Sequence, residues 1–218
     1  MTEEEECPVQ VAAGKVILEG NLCLPESARG VVVFAHGSGS SRHSPRNRYV
    51  ARVLRDAGLA TLLFDLLTAE EEAEDIETGK LRFDIGLLAR RLIAATDWLK
   101  ESAETRQLGI GYFGASTGAA AALIAAVERP DIVAAIVSRG GRPDLAAESL
   151  PHVKAPTLLI VGGHDFPVIE INREALAKLN VEKELAVVPG ATHLFEEPSA
   201  LEEVARLAAK WFTSHLKD

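Results

Sequence analysis

Short, unbroken apolar runs alternate along the chain with longer stretches whose apolar positions recur at helical spacing. The runs Gly30–Ala35, Ala60–Phe64 and 157–161 are rich in valine, isoleucine and leucine, which is typical of strands buried on both faces of a parallel sheet. Glycine or proline ends several of the helical stretches. Strands are predicted at 9–12, 16–23, 30–35, 60–64, 108–113, 132–138, 157–161 and 184–188. Helices are predicted at 46–57, 81–100, 117–128, 143–150, 168–179 and 198–216.

The order of these elements predicts the class of fold. Two strands joined at Gly14 form a leading hairpin, and the later strands alternate with helices. This order predicts one α/β domain over residues 1–218, with a mostly parallel sheet and helices on both faces. Neither an internal repeat nor a Pro/Gly/Ser-rich linker divides the chain, and no cap domain is indicated. Sites in such sheets lie at the carboxyl ends of the strands.

A glycine-flanked serine follows one of these strand ends. Residues 114–118 read Gly-Ala-Ser-Thr-Gly and separate the predicted strand 108–113 from a helix of small residues. A G-x-S-x-G turn in this place strains the backbone of its serine and lifts the hydroxyl above the sheet. An ordinary strand-to-helix turn is the alternative for the pentapeptide alone. The pattern predicts that Ser116 is a nucleophile.

A serine hydroxyl is a poor nucleophile at neutral pH and needs an adjacent base. With an elbow serine the order along the chain is serine, acid and histidine, each on a loop after a strand. Asp165 follows the seventh predicted strand and His193 follows the eighth. We therefore expect His193 to act as general base and then general acid. Asp165 is expected to orient His193 and to stabilise its imidazolium form.

Two other residues compete for these roles. Asp144 follows the sixth predicted strand and is the rival acid, although Pro143 before it favours a helix-capping role. His164 adjoins Asp165, and neighbouring side chains in extended backbone point to opposite sides, so the two are not expected to face Ser116 together. His164 is expected to be an exposed loop histidine, with pocket lining or competition as a base as the alternatives.

An oxyanion hole needs backbone N–H groups aimed at the negative charge that develops in the transition state. The N–H of Thr117, directly after the nucleophile, is one expected donor, and the N–H of Ser38 in the loop after the third strand is the other. Gly37 and Gly39 allow that loop to approach a substrate closely. His36, at the end of the strand, is expected to be structural and to hydrogen-bond loop carbonyls.

The net charge and the cysteine content indicate which partners and which cellular compartment to expect. The 218 residues carry a net charge of −9, which argues against nucleic-acid and anionic-membrane partners. Cys7 and Cys23 form no C-x-x-C pattern or His/Cys cluster, so neither structural zinc nor a disulfide framework is indicated. The acidic segment 1–6 does not resemble a secretory signal. We expect a cytoplasmic protein that acts on a small molecule without a metal or cofactor.

Several charged and aromatic residues have plainer expected roles. The acidic run 70–75 predicts a solvated loop or a helix end, and Asp65 is expected to fix a loop near the site. Surface positions are expected for five basic residues, with anion binding as the alternative: Arg42, His43, Arg46, Arg139 and Arg142. Core packing is expected for four aromatic residues: Phe83, Trp98, Trp211 and Phe212. The aromatic content of 5% and the lack of an amphipathic lid argue against a lipase.

The succession of His36-Gly37, the elbow at 114–118, Asp165 and His193 resembles the α/β-hydrolases. The compact length without a cap resembles their dienelactone-hydrolase-like branch. The runs 34–47 and 64–68 are similar to small bacterial hydrolases of that branch, some of them linked to phosphoribosyltransferases. The resemblance spans nearly the whole chain.

Dienelactone hydrolase itself has a cysteine nucleophile, where this chain has Ser116. The resemblance therefore implies a serine esterase and does not extend to lactone specificity. We expect hydrolysis of small carboxylic esters through an acyl-serine intermediate. Amide or thioester cleavage and perhydrolysis on the same triad are alternatives, and so is a catalytically silent binding module with this fold. The presence of nucleophile, base, acid and glycine loop together argues against the silent module.

Overall fold

An eight-stranded sheet forms the centre of the computed structural model, which describes residues 6–216. Its strands are β1 Cys7–Ala13, β2 Val16–Cys23, β3 Gly30–Ala35, β4 Ala60–Phe64, β5 Gly109–Ala115, β6 Val133–Arg139, β7 Thr157–Gly162 and β8 Lys183–Val188. Their order across the sheet is β1-β2-β4-β3-β5-β6-β7-β8. The pairs β1–β2 and β2–β4 are antiparallel and the remaining pairs are parallel. The expected hairpin and mostly parallel sheet are confirmed.

Helices cover both faces of the sheet, as expected. They are α1 Pro45–Asp56, α2 Ala69–Thr78, α3 Ile85–Glu101, α4 Thr117–Glu128, α5 Phe166–Lys178 and α6 Ala200–His215. Helices α1 and α6 pack together on one face, and α3, α4 and α5 pack on the other. Every residue of β3, β4 and β7 is buried, in agreement with their unbroken apolar sequences. Each large aliphatic side chain buried in this way contributes roughly 1.5–3 kcal/mol.

The acidic run 70–75 forms the N-terminal end of helix α2, with three of its glutamates in the first turn, which confirms the helix-end expectation. The helix begins here because Thr68 and Glu71 form a capping box in which each side chain accepts the other's backbone N–H, at 3.2 and 2.9 Å. Asp75 is fully buried in this helix and bonds the Arg82 guanidinium at 2.5 Å. Most carboxylates of the run therefore face solvent, and the buried one, that of Asp75, connects α2 to Arg82.

The helix predicted over 81–100 is divided at Asp84. A 3-10 turn at Leu81–Phe83 comes first, and α3 starts anew at Ile85 because the Asp84 carboxylate accepts the Leu87 N–H at 2.8 Å. Phe83 is consequently 58% exposed, and its expected core position is wrong. The other three aromatic residues pack in or against the core as expected: Trp98, Trp211 and Phe212.

Two further elements differ from expectation. The helix predicted at 143–150 consists of two 3-10 turns, Pro143–Ala146 and Leu150–His152. The last helix begins at Ala200 rather than at Pro198, because the intervening Ser199 has a left-handed φ of 63°. Among the helices of residues 6–216, none is long and apolar enough to cross a membrane. Segment 1–5 lies outside the described residues.

Candidate active site

Ser116 occupies a strained turn between β5 and α4. Its φ is 50° and its ψ is −121°, which are rare values for a residue with a side chain. The flanking glycines are required: a Cβ on Gly118 would lie 2.1 Å from the Ala35 carbonyl oxygen, and one on Gly114 would lie 2.4 Å from Ala119 Cα. The turn therefore has the conformation of a nucleophile elbow.

His193 and Asp165 meet across the loops that follow β8 and β7. His193 Nδ1 and Asp165 Oδ2 are 2.6 Å apart, with the carboxylate 13% and the imidazole 42% exposed. The two loops are locked together, since the His164 N–H donates to the Ala191 carbonyl at 2.9 Å and a Cβ on Gly162 would lie 2.5 Å from the same oxygen. With Nδ1 engaged by the carboxylate, Nε2 is the nitrogen available to a nucleophile.

The loop after β6 connects this pair to the serine. The Ser116 N–H donates to the Arg139 carbonyl at 3.2 Å, and the Ser116 carbonyl accepts the Arg142 N–H at 3.1 Å. Between these two contacts, a Cβ on Gly140 would lie 3.4 Å from His193 Cε1. One short loop thus contacts both the backbone of Ser116 and the ring of His193. Sequence reasoning gave Gly140 no role, although a Gly-Gly pair directly after a strand is a signal for such a close approach.

The two expected oxyanion donors are adjacent. The Ser38 N–H donates to Thr117 Oγ1 at 3.1 Å, which ties the loop after β3 to the start of α4. Thr117 is the first residue of α4, where a helix leaves its N–H groups without intrahelical acceptors and its dipole is positive. A Cβ on Gly37 would lie 3.0 Å from Ser116 Cβ, so this loop passes directly beside Ser116.

Two side chains fix the loop after β3, as expected. His36 Nε2 accepts the Leu66 N–H at 3.0 Å, so the ring proton lies on Nδ1, which donates to the Gly37 carbonyl at 3.0 Å. Burial lowers the pKa of His36 and favours this neutral form. Asp65 accepts the Arg42 N–H at 2.7 Å and also bonds the Arg42 guanidinium. His36 is structural, and the contacts of Arg42 with Asp65 hold the loop. The surface position expected for Arg139 is wrong, because that residue is only 9% exposed at the end of β6.

The competing residues lie elsewhere. His164 is exposed, as expected, and its ring lies 6.4 Å from that of Phe166. The Asp144 carboxylate makes a bidentate pair with Arg142 at 2.9 and 2.7 Å. Arg142 and, to a smaller extent, the backbone N–H groups of Asp144 and Leu145 lower the pKa of this carboxyl, in keeping with its expected place at the start of a helical turn. The carboxylate that contacts His193 is that of Asp165.

A cavity of about 630 Å³ lies behind the loop after β3. Its lining includes His36, Gly39, Arg42 and Asp65, and Thr68 and Glu72 close its other side. Ser116 and His193 are not among the residues that line this cavity.

A nucleophile elbow above a mostly parallel sheet, with histidine and acid on the loops after later strands, defines an α/β-hydrolase. The model of the dienelactone hydrolase family matches residues 18–217, and the chain belongs to that family. It is 63% identical to a dienelactone hydrolase from Anabaena variabilis, whose structure superimposes with a TM-score of 0.97 over 98% of this chain and 99% of that one.

Two further comparisons define the relationship more closely. A Mycobacterium tuberculosis protein with the provisional name phosphoribosyl transferase is 62% identical over 208 residues. That match covers 95% of this chain but 46% of the relative, so the chain spans about half of the relative's length. Est1E from Butyrivibrio proteoclasticus is 15% identical with a TM-score of 0.80 over 95% of this chain and 98% of its own, which shows the shared fold.

Proposed function

We propose that the protein is a serine carboxylesterase that hydrolyses small carboxylic esters. The observation that carries the proposal is the 2.6 Å contact between His193 Nδ1 and Asp165 Oδ2, in a pair that the loop after β6 links to a serine held at φ 50°. An oriented imidazole together with a strained, partly buried serine is the arrangement that activates a hydroxyl for attack. Membership of the dienelactone hydrolase family supports hydrolysis.

The reaction would proceed in two halves. Ser116 Oγ attacks the ester carbonyl while His193 Nε2 takes the hydroxyl proton, and the resulting tetrahedral intermediate carries a negative oxygen. His193 then returns the proton to the departing alcohol, which leaves an acyl-serine. In the second half His193 takes a proton from water while the water oxygen attacks the acyl carbon. His193 then returns that proton to Ser116 Oγ as the bond between the acyl carbon and Oγ breaks and the acid leaves. Asp165 stabilises the imidazolium formed in each half.

The negative oxygen would be bound by the N–H groups of Ser38 and Thr117. Thr117 contributes the positive end of α4 as well as its N–H. When the substrate oxygen arrives, the Ser38 N–H donates to it, either in place of its present acceptor, Thr117 Oγ1, or in addition to it. One such donor contributes about 3 kcal/mol to the stability of the transition state.

The proposed setting is the cytoplasm and the proposed substrate a small molecule. A chain with two cysteines and no disulfide pattern is typical of a reducing compartment. The net charge of −9 supports a substrate that is neither nucleic acid nor an anionic membrane surface.

Kinetics with p-nitrophenyl acetate test the proposal. Ser116→Ala should lower kcat by roughly 10⁴- to 10⁶-fold, because the covalent route is lost. Ser214→Ala is the matched control, since Ser214 is an exposed serine on α6 that bonds the Lys210 carbonyl. It should keep kcat within about twofold of the parent, as surface substitutions normally do. Near-full activity of Ser116→Ala would contradict the proposed mechanism.

A further inference from the structure

Asn172 is a polar residue in the interior of the protein that takes no part in the proposed reaction steps. It lies on α5 and is 0% exposed. Its Nδ2 group donates to the carbonyl of Gly141 at 3.1 Å and to that of Val168 at 2.8 Å. Because both neighbours are carbonyl oxygens, the amide must present its two hydrogens to them. The side chain therefore joins α5 to the loop after β6.

The amide of Asn172 is only half satisfied by these contacts. Among residues 6–216, its Oδ1 has no hydrogen-bond partner. A buried acceptor without a partner lowers stability, whereas apolar groups of the same shape can replace a buried polar pair with little loss. Stability alone would therefore not favour asparagine at this position. The carbonyl that it holds indicates its role.

The loop held in this way is the one that contacts both Ser116 and His193. On one side of Gly141, the ring of His193 lies against Gly140, where a Cβ would come within 3.4 Å of Cε1 and 3.5 Å of Nδ1. On the other side, the Arg142 N–H donates to the Ser116 carbonyl at 3.1 Å. Gly141 is thus the middle of a three-residue link between the proposed base and the proposed nucleophile.

This link is closely packed on its other sides. A Cβ on Gly141 would lie 2.7 Å from the Cβ of Ala119 on α4, the helix that follows the elbow. The Gly140 N–H donates to the Ile160 carbonyl of β7 at 2.8 Å. The loop is therefore held between α4 and β7, and the amide of Asn172 adds a contact from α5.

Helix α5 also positions the catalytic acid. Asp165 stands directly before the helix, and its carbonyl accepts the Ile169 N–H at 3.0 Å. Asn172 lies about two helical turns further along. The Asp165 carboxylate contacts His193 at 2.6 Å, while the amide of Asn172 holds the loop on which the His193 ring lies. One continuous helix thus fixes the acid relative to the loop after β6.

We propose that Asn172 is a positioning residue of the active site. By holding the Gly141 carbonyl, it keeps the His193 ring aligned with Ser116. Asn172 is fully buried and does not contact a substrate, so it acts through the loop 140–142. The inference rests on the proposed esterase function and adds to it a residue outside the triad that sets the geometry of the triad.

Esterase kinetics of Asn172→Leu test the role in catalysis. Leucine has a similar size but no hydrogen to donate. We expect kcat for p-nitrophenyl acetate to fall roughly tenfold to a hundredfold, because a displacement of about 1 Å between reacting groups has an effect of this size. KM should stay within about twofold, since no group that would contact the substrate is removed. A rise in KM with an unchanged kcat would overturn the proposal.

Thr105→Val is the matched control. Thr105 is also 0% exposed, and its hydroxyl donates to the Leu99 carbonyl at 2.6 Å in the segment between α3 and β5. Both substitutions remove a buried hydrogen bond from a side chain to a carbonyl, so both should lower the melting temperature. Thr105→Val should keep kcat within about twofold of the parent. Equal values of kcat in the two variants would overturn the proposal.

A second variant serves if Asn172→Leu does not fold. Asn172→Asp has the shape of the native side chain, and its ionised carboxylate has no hydrogen to donate to the Gly141 carbonyl. The same fall in kcat with an unchanged KM is expected of it above neutral pH. An Asn172→Asp variant with the parent's kcat under these conditions would overturn the proposal.

A variant that lacks the base separates positioning from a general loss of folded protein. If Asn172 acts through His193, Asn172→Leu should slow fluorophosphonate labelling of Ser116 in the parent, but should change the residual labelling rate of His193→Ala by less than about twofold. Residues that act as one unit show this non-additivity. A slowing by the same factor in both backgrounds would overturn the proposal.

Amide hydrogen exchange tests the inference without any catalysis, and so separates it from the proposed function. The Arg142 N–H, which donates to Ser116, should exchange at least about fivefold faster in Asn172→Leu than in Thr105→Val, the equivalent of one net hydrogen bond. Such an increase supports the positioning role even if no ester is hydrolysed. Equal exchange rates in the two variants would overturn that role and leave the esterase proposal standing on its own kinetics.

Discussion

The backbone N–H of Ser38 donates a 3.1 Å hydrogen bond to the hydroxyl of Thr117. The two residues proposed to bind the substrate oxygen are therefore joined before any substrate arrives. Thr117 is 2% exposed and begins α4, so its hydroxyl is held by the helix and in turn holds the loop after β3. This contact, together with those of His36 and Asp65, holds the loop that carries the Ser38 N–H.

Removal of the Thr117 hydroxyl should leave the position of the Ser38 N–H less well fixed. Thr117→Val preserves the shape of the side chain but removes the acceptor, and we expect kcat for p-nitrophenyl acetate to fall roughly fivefold, the equivalent of one net hydrogen bond. Thr117→Ser retains an acceptor and should restore most of the rate. An increase of kcat in Thr117→Val would show instead that the hydroxyl competes with the substrate oxygen.

The identity of the catalytic acid can be tested by a pair of substitutions. Asp165→Asn should lower kcat by about 10⁴-fold, because the amide no longer holds His193 in its productive tautomer. Asp144→Asn alters the rival acid, which pairs with Arg142, and should change kcat by less than about threefold. The reverse order of effects would assign the acid to the loop after β6.

The glycines of the elbow should tolerate no side chain. Gly118→Ala would bring a Cβ to 2.1 Å from the Ala35 carbonyl, and we expect a loss of at least about 3 kcal/mol in the free energy of unfolding. Gly86→Ala is the control, since its Cβ would meet only the ends of the Arg90 and Asp84 side chains, at 3.4 and 3.5 Å. That substitution in α3 should stabilise by up to about 1 kcal/mol in urea unfolding.

His36 should make stability depend on pH. Burial holds its pKa in the folded state below the unfolded value, so below about pH 6.5 the unfolded chain binds more protons and stability falls as the pH falls. Protonation of Nε2 would also break the hydrogen bond that this nitrogen accepts from the Leu66 N–H. The loss attributable to one such group is at most about 1.4 kcal/mol per pH unit.

The measurement is urea unfolding of the parent and of His36→Gln at about pH 7.5 and about pH 5.5, the two sides of this window. The parent should lose more stability between the two pH values than the variant, because the other titrating groups are common to both. Equal losses would mean that His36 is not the buried neutral histidine described above.

The sequence predicted the sheet and the helices around it because fully buried strands have unbroken apolar sequences that leave little ambiguity. It failed where polar side chains, rather than apolar periodicity, set the boundaries. Thr68 and Glu71 start a helix within an acidic run, and Asp84 divides one helical pattern in two. Such caps depend on local hydrogen bonds that an apolar pattern does not report.

The contact of Asp165 with His193 was likewise predictable, since serine, acid and histidine follow strand ends in a fixed order. The pairing of Asp144 with Arg142 and the burial of Arg139 were not predictable. These features depend on the conformation of a long side chain and on which charged groups lie near it in the folded protein. The spacing of residues along the sequence does not report either.

Labelling with a fluorophosphonate, followed by intact mass measurement and peptide mapping, tests the central claim most directly. The reagent reacts with serines that an adjacent base activates. The account predicts one adduct, located on Ser116, and a greatly slowed reaction in His193→Ala. A parent protein without any adduct, or an adduct that forms equally fast in His193→Ala, would contradict the proposed triad.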